Sequence, residues 1–359
     1  MSDAERAAEA SEASRSTWPV WGHDAVKESL RHDVGTGRVR HAYAFSGPEG
    51  IGKTTLAAAL ARALLCDSPP TPGLACLECL PCRKITRGVH PDVQTFSLAT
   101  QAEASEKAGG KNTSLTIETV RTIAASTAFR PMEGRWRVLI VEDAETLQEV
   151  AQEALLKTLE EPPSFVVLLL LVNDAETLLP TIRSRCQVVE LRPVGGGAIM
   201  HGLALAGVAD DRAAEIAGLA AGRPGWAIRA VAEPQLIEER RATVERALTW
   251  IDGSSFDRLV MAVRLGDGFT KRRAETYETL ETLLGVWRDL LLLRASLPDY
   301  LSHRGQGERL QELARGWPLA DLHRAVRSVQ RCIADLEVNV RPRLAMEAMV
   351  LQWPINHHR

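Results

Sequence analysis

The stretch Gly47-Pro48-Glu49-Gly50-Ile51-Gly52-Lys53-Thr54 limits what this chain can fold into more than any other. It fits G-x-x-x-x-G-K-[ST] at every fixed position. A short apolar run beginning at Tyr43 precedes it, and an Ala/Leu-rich run through Leu65 follows it. Such a loop belongs between a strand and a helix. Its glycines let backbone N–H groups curl round a phosphate, and the helix N-terminus adds the positive end of its dipole. Gly47, Gly50 and Gly52 shape the turn, Lys53 reaches the β- and γ-phosphates, and the Thr54 hydroxyl ligates Mg²⁺, with Thr55 grouped beside them. Nucleotide binding, ATP with Mg²⁺, is the expectation; a glycine-rich turn with no ligand is the alternative.

Hydrolysis is a separate matter, because it needs one carboxylate to hold the Mg²⁺ and a second to orient water. The apolar segment Val138–Val141 ends in Glu142-Asp143, where ATP-hydrolysing P-loop proteins usually carry Asp-Glu. With the lengths exchanged, each carboxylate is displaced by one methylene. Attack geometry is sensitive to shifts of about 1 Å, so weak or absent ATPase activity is expected. Two carboxylates that merely end a strand are the alternative.

Around these motifs, strand and helix patterns alternate from 18 to 192. Residues 43–47, 92–96, 137–142, 165–172 and 187–191 read as strands; 54–65, 116–129 and 149–161 read as helices, the last stopped by Pro162-Pro163. Within 116–129, Ile117, Val120, Ile123 and Ala124 share a face. The alternation predicts an α/β domain with a mainly parallel sheet. Residues 100–114 hold no large apolar side chain and read as a surface loop. After Gly195-Gly196-Gly197, a candidate hinge, strand signals stop and only helices follow. The expected division is a disordered tail over 1–17, a P-loop domain over 18–192, a small helical lid over 193–234, and an all-helical region over 235–359. Leu344, Met346, Met349, Val350 and Leu351 read as core or subunit interface.

Of six cysteines, Cys66, Cys76, Cys79 and Cys82 fall within 17 residues, while Cys186 and Cys332 stand alone. Four thiolates at this spacing, joined by a Pro/Gly-rich linker with no core of its own, suit a structural tetrahedral Zn²⁺ site; buried free thiols or a redox pair are the alternatives. The balance of 43 Lys plus Arg against 46 Asp plus Glu is nearly even, which excludes a strongly basic nucleic-acid binder. The longest apolar run, 165–172, is far short of the roughly 20 residues of a membrane helix. The first 16 residues lack an apolar signal core, so a cytoplasmic protein with no membrane partner is expected. Asn173, ending the buried strand, is either a γ-phosphate contact or a turn residue. Arg185, from spacing alone, is a surface arginine with an ion-pair partner. His23 and His41 are assigned no chemistry.

Several segments together resemble the bacterial clamp-loader family within the AAA+ ATPases: "WGHDAVKESL", "HAYAFSGPEGIGKTTLA", the four-cysteine insert followed by "HPDV", "EALLKTLEEPPSFVVLLLLVND", "LLPTIRSRCQ" and "LEVNVRPRLAMEAMV". The resemblance runs from about Trp18 to Trp353. It implies a subunit of the DNA polymerase III holoenzyme, working in the cytoplasm at the replisome. Its partners would be tau/gamma-type motor subunits and a delta subunit, with the sliding clamp and primed DNA reached through the assembly. It implies that the zinc module spans 66–82 and that 235–359 is the oligomerising collar. It also turns Arg185 of the "SRC" segment into an arginine finger donated in trans to a neighbour's ATP. Three departures from the motor pattern favour a stator over a motor that burns its own ATP: the Glu142-Asp143 order, Glu153 where Asn is usual, and Gly225 near the second-sensor arginine position, with Arg223 or Arg229 as substitutes.

Overall fold

The computed structural model describes residues 18–104, 114–337 and 340–355. The tail expected over 1–17, and 105–113 of the expected loop, lie outside them. The chain divides into two compact units, residues 1–198 with 223–225, and residues 199–222 with 226–359.

The first unit is built on five parallel strands: β1 (Ala42–Ser46), β2 (Val93–Phe96), β3 (Arg137–Val141), β4 (Val166–Val172) and β5 (Gln187–Glu190), in the order β2-β3-β4-β1-β5. Parallel neighbours need crossovers, which come from α1 (Asp24–Gly35), α2 (Lys53–Leu65), α3 (Leu80–Thr86), α4 (Leu98–Ala104), α5 (Ile117–Thr127), α6 (Glu149–Glu160) and the single turn α7 (Pro180–Arg183). The strands are apolar at consecutive positions because both faces are covered. Successive side chains alternate between faces. Tyr43, Phe45, Val138, Ile140, Leu169 and Leu171 pack with Leu30, Leu56 and Leu60 on one side. Ala44, Leu139, Val141, Leu168 and Leu170 pack with Val120, Ile123, Leu155 and Leu159 on the other.

The strands lie within a residue or so of the expected bounds. The expected loop over 100–114 is a correction, since its start is the end of α4. Ser97 turns the chain into that helix: its side-chain oxygen accepts the Thr100 N–H at 3.2 Å, and its carbonyl accepts the Gln101 N–H at 2.9 Å. Gln101 then ties the helix to the far side of the loop, donating to the Ser114 carbonyl and accepting from the Thr116 N–H. Polar, Ala-rich composition hides such a helix because its stability comes from caps and clamps rather than an apolar stripe. Gly196 and Gly197 likewise do not form a loop but open α8 (Gly196–Leu205).

In the second unit, α8 leads to α9 (Asp210–Leu219), α10 (Pro224–Ala232), α11 (Gln235–Asp252), α12 (Ser255–Gly268), α13 (Arg273–Arg294), α14 (Gly307–Arg315), α15 (Leu319–Glu337) and α16 (Pro342–Val350). A chain of tryptophans centres it: Trp250 and Trp287 each meet Trp353 edge-on, at 5.2 and 5.3 Å between ring centroids, and Trp317 lies 5.4 Å from Trp287. Arg258 is buried beneath, donating to the Pro354 and Ile251 carbonyls with its guanidinium over the Trp353 ring. Met346, Met349 and Val350 are core, whereas Leu344 and Leu351 are exposed.

Candidate nucleotide site and metal centre

In a parallel sheet every strand ends on the same side, so the loops after β1, β3 and β4 gather there. The P-loop follows β1. Gly50 and Gly52 take φ of 76° and 113°, values closed to most side chains, and Gly52 caps α2. A Cβ on Gly47 would run into the Leu191 carbonyl. Lys53 folds over the loop, donating to the carbonyls of Gly47 and, at 3.3 Å, Pro48, and to Asn173 Oδ1 at 2.8 Å. Thr54 and Thr55 are exposed in the first turn of α2. Asn173, at the end of β4, therefore joins the P-loop lysine rather than serving only as a turn residue.

Glu142 continues β3, its N–H bonded to the Phe96 carbonyl at 2.8 Å. Burial pushes its carboxyl up, against a hydrogen bond from the Thr54 side chain, and neighbouring Asp143 pushes it further up. Asp143 turns away into a left-handed conformation (φ 51°) and is exposed; its carbonyl accepts the Thr146 N–H at 2.8 Å. The Glu142 carboxylate thus meets Thr54, while Asp143 closes the turn through its backbone carbonyl and not its side chain.

Two more residues belong to this cluster: Glu145, which the sequence did not single out, and His23, to which it assigned no chemistry. Glu145, in the turn after Asp143, accepts the Asn173 N–H and lies in the field of Lys53; burial raises its pKa, and its Oε2 is enclosed with no hydrogen-bond partner. Burial lowers the Lys53 pKa, opposed by the charges of Glu145, Asp143 and Glu49. His23, left-handed at φ 55°, bonds the Ile51 carbonyl through Nε2 at 3.2 Å. Burial lowers its pKa, so the neutral ring donates from Nε2. The pair Gly22-His23 just before α1 was the available signal. Gln152, not the exposed Glu153, holds the buried position on α6, donating to the Leu147 carbonyl and accepting the Leu179 N–H. Gly225 donates its N–H to the Gly50 carbonyl at 2.7 Å.

Arg185 stands elsewhere. It precedes β5, whose Gln187 pairs with Tyr43 near the start of β1. It therefore lies at the N-terminal ends of the strands, and the P-loop lies at the C-terminal ends, roughly 15 Å away along strands of this length. Its guanidinium donates to the Thr181 carbonyl at 2.9 Å and pairs with Glu160 at 2.9 Å. The ion-pair partner anticipated from spacing is Glu160, at the end of α6.

The sulfur atoms of Cys66, Cys76, Cys79 and Cys82 all lie within 4.8 Å of one another. A tetrahedron with metal–sulfur bonds of about 2.3 Å has sulfur–sulfur edges of about 3.8 Å, and Cys66 and Cys79 stand 3.9 Å apart. The Cys76 N–H donates to Cys66 Sγ at 3.2 Å and the Cys79 N–H to Cys76 Sγ at 3.3 Å, the bonds thiolates need. Burial raises the Cys66 and Cys82 thiols. Burial also opposes ionisation of Cys76, but N–H donors and neighbouring thiols outweigh it and bring that thiol down to about 7. An all-thiolate set of four fits a metal ion in a structural role, consistent with zinc. The module is fastened to the sheet through α3, where Lys84 pairs with Glu133 at 2.6 Å. Glu133 belongs to the loop before β3, whose N–H groups at Met132, Glu133 and Gly134 all point at the buried Asp92 carboxylate, at 2.6, 2.8 and 2.9 Å.

Comparison with known proteins gives two family matches: "DNA polymerase III, delta subunit" over residues 22–195, and "DNA polymerase III, delta subunit, C terminal" over 237–354. The delta' subunit of DNA polymerase III from Pseudomonas aeruginosa is 37% identical over 213 residues, 58% of this chain and 61% of that one. The tau subunit from Escherichia coli is 33% identical over 184 residues, 51% of this chain and 26% of that one. The chain thus spans less than two thirds of the length of these relatives. Among solved structures, the Thermotoga maritima RuvB Holliday junction branch migration motor aligns over 90% of this chain and 87% of its own, with TM-score 0.40 and 18% identity. The Bacillus subtilis DNA clamp loader delta protein covers 91% and 98%, with TM-score 0.35 and 12% identity. Among the described residues, no helix is long and apolar enough to cross a membrane.

Proposed function

The chain belongs to the DNA polymerase III clamp-loader family of AAA+ proteins, and from that premise we propose that it serves as the delta-prime subunit of the loader, a stator rather than a motor. Its partners are then tau/gamma-type and delta subunits, and through the assembly the sliding clamp and primed DNA, in the cytoplasm at the replisome. Residues 193–234 act as a small helical lid, and 235–359 as the collar that holds the assembly. Zn²⁺ is bound by Cys66, Cys76, Cys79 and Cys82 and supplies a rigid tetrahedral staple to a linker with little core of its own.

The polarity of the sheet supports this reading best. The P-loop and Arg185 sit at opposite ends of the parallel strands, so Arg185 is out of reach of its own Lys53 and free to serve a phosphate brought by a neighbour. A planar guanidinium stabilises charge building on a transferring phosphoryl group. Thr181 and Glu160 hold its side chain at the surface, roughly a third exposed. In the chain's own site the exchanged order of Glu142 and Asp143 shifts each carboxylate by one methylene from the usual pair. Weak or absent turnover follows.

In a reconstituted loader, Arg185→Ala is expected to lower DNA-stimulated ATP hydrolysis several-fold while the subunits still co-elute. Unchanged hydrolysis, or loss of assembly, refutes the role in trans. A motor reading has one observation in its favour, the joined Lys53, Thr54, Glu142 and Asn173. It requires ATP turnover by the isolated chain that Lys53→Ala abolishes.

A further inference from the structure

Arg185 is not a bare cation. Its Nη1 donates to the Thr181 carbonyl at 2.9 Å and to Ser184 Oγ at 3.4 Å, and its Nη2 pairs with Glu160 Oε1 at 2.9 Å. A guanidinium meets a phosphate best through two parallel N–H donors. Both terminal nitrogens of Arg185 are already bonded to oxygens of its own chain, and one of those oxygens is a carboxylate. The nearby Arg183 has a different partner, Glu176.

Glu160 stands where a carboxylate costs its helix. It is the last residue of α6, and Glu161 follows as the cap, against one basic side chain, Lys157, in that turn. The C-terminal end of a helix carries the negative end of the dipole, so a cation is favoured there and an anion is not. Two successive carboxylates at that end form a local conflict, and such conflicts are expected where a function outweighs helix stability. Arg185, arriving from the segment before β5, supplies the missing cation to Glu160. The pair is open to water, its side chains 36% and 50% exposed. An ion pair this open contributes little and exchanges readily. A buried pair would lock the arginine; an open one yields to an anion of higher charge.

We propose that Glu160 is a displaceable counter-ion of Arg185: its carboxylate holds the guanidinium on its own chain, and the phosphates of a neighbour's nucleotide must take its place before the arginine acts. This rests on the reading of Arg185 as a cation donated in trans and adds the residue that controls its release. Glu160 touches no phosphate itself and is a positioning residue. Nη2 changes partner while the Thr181 carbonyl still steers Nη1, so the arginine is delivered already oriented.

The test is ATP hydrolysis by a reconstituted loader, with and without primed DNA, for Glu160→Gln against wild type. Glutamine keeps the length of the side chain and removes its charge. If Arg185 must leave Glu160 before it engages, the pair lowers the engaged fraction. Removing the charge is then expected to raise hydrolysis without DNA about two- to fivefold, a gain that damage to the fold would not give. Glu160→Asp, which keeps the charge, should stay closer to wild type. In the Arg185→Ala background the gain should vanish, since the coupling runs through that arginine. Hydrolysis by Glu160→Gln equal to or below wild type overturns the proposal, and so does a gain that survives Arg185→Ala or is matched by Glu160→Asp. If Arg185→Ala lowers DNA-stimulated hydrolysis and Glu160→Gln raises nothing, only the role of Glu160 fails. If Arg185→Ala itself changes nothing, the reading of Arg185 in trans fails with it.

Discussion

Replacing Asp92 by asparagine tests how the P-loop unit is held together behind its site. The Asp92 carboxylate is fully buried and takes three backbone N–H groups from one turn, Met132, Glu133 and Gly134. That turn feeds β3, and Glu142 and Glu145 follow β3. Asparagine keeps one acceptor oxygen but turns an NH₂ toward N–H donors. A hydrogen bond to a charged group contributes about 1.5–3 kcal/mol, but the turn is only partly buried and regains some water, so a loss of about 2–4 kcal/mol is expected. The sign with pH follows from Asp92 itself. Burial alone would raise its carboxyl, yet the three N–H donors outweigh it, and its pKa is lowered. Its contribution is therefore fully present above the unfolded value of about 3.9 and is lost as pH falls through the lower folded value. Hydrogen exchange over residues 130–141 reads the effect directly. At neutral pH, exchange through local opening should quicken by about 30- to 900-fold in Asp92→Asn, each 1.4 kcal/mol being tenfold. Stability measured by urea unfolding should converge for the two proteins below about pH 4. Exchange within about threefold of wild type would refute the argument, as would a gap that stays open in acid.

Other expectations follow from the same geometry. Elemental analysis should find one zinc per chain, and Cys82→Ser should lose it. Chelation should strip exchange protection first from residues 66–86 while β1, β3 and β4 stay protected. Arg258→Met leaves the Pro354 and Ile251 carbonyls unmatched and removes the cation over Trp353, so the helical unit should lose about 2–3 kcal/mol in urea unfolding. A change below about 0.5 kcal/mol would show that water replaces the guanidinium. Leu168, packed on the sheet face opposite Leu169, should cost about 2–5 kcal/mol when cut to alanine.

Most of the sheet was legible in the sequence because burial on both faces writes itself as unbroken apolar runs, as in Val166–Val172. The P-loop and the cysteine cluster were legible because their chemistry dictates spacing. What escaped was set by tertiary neighbours. Glu145 looks like any polar turn residue until β4 brings Asn173 beside it. The helix Leu98–Ala104 carries no apolar stripe, and only the contacts of Ser97 and Gln101 reveal it. His23 looked idle because its partner, the Ile51 carbonyl, is a backbone group that no side-chain pattern announces.

The separation of Arg185 from Lys53 along the strands gives the subunit a head and a tail. If one end offers a cation to phosphate and the other offers a phosphate cradle, identical or related chains join head to tail, through heterologous rather than two-fold contacts. Such a series has a direction. A member whose own cradle is muted, but whose cation is intact, can serve a neighbour's site without needing service in return. Placed in a ring of active neighbours, it leaves fewer working sites than subunits, and it marks the place where the series begins.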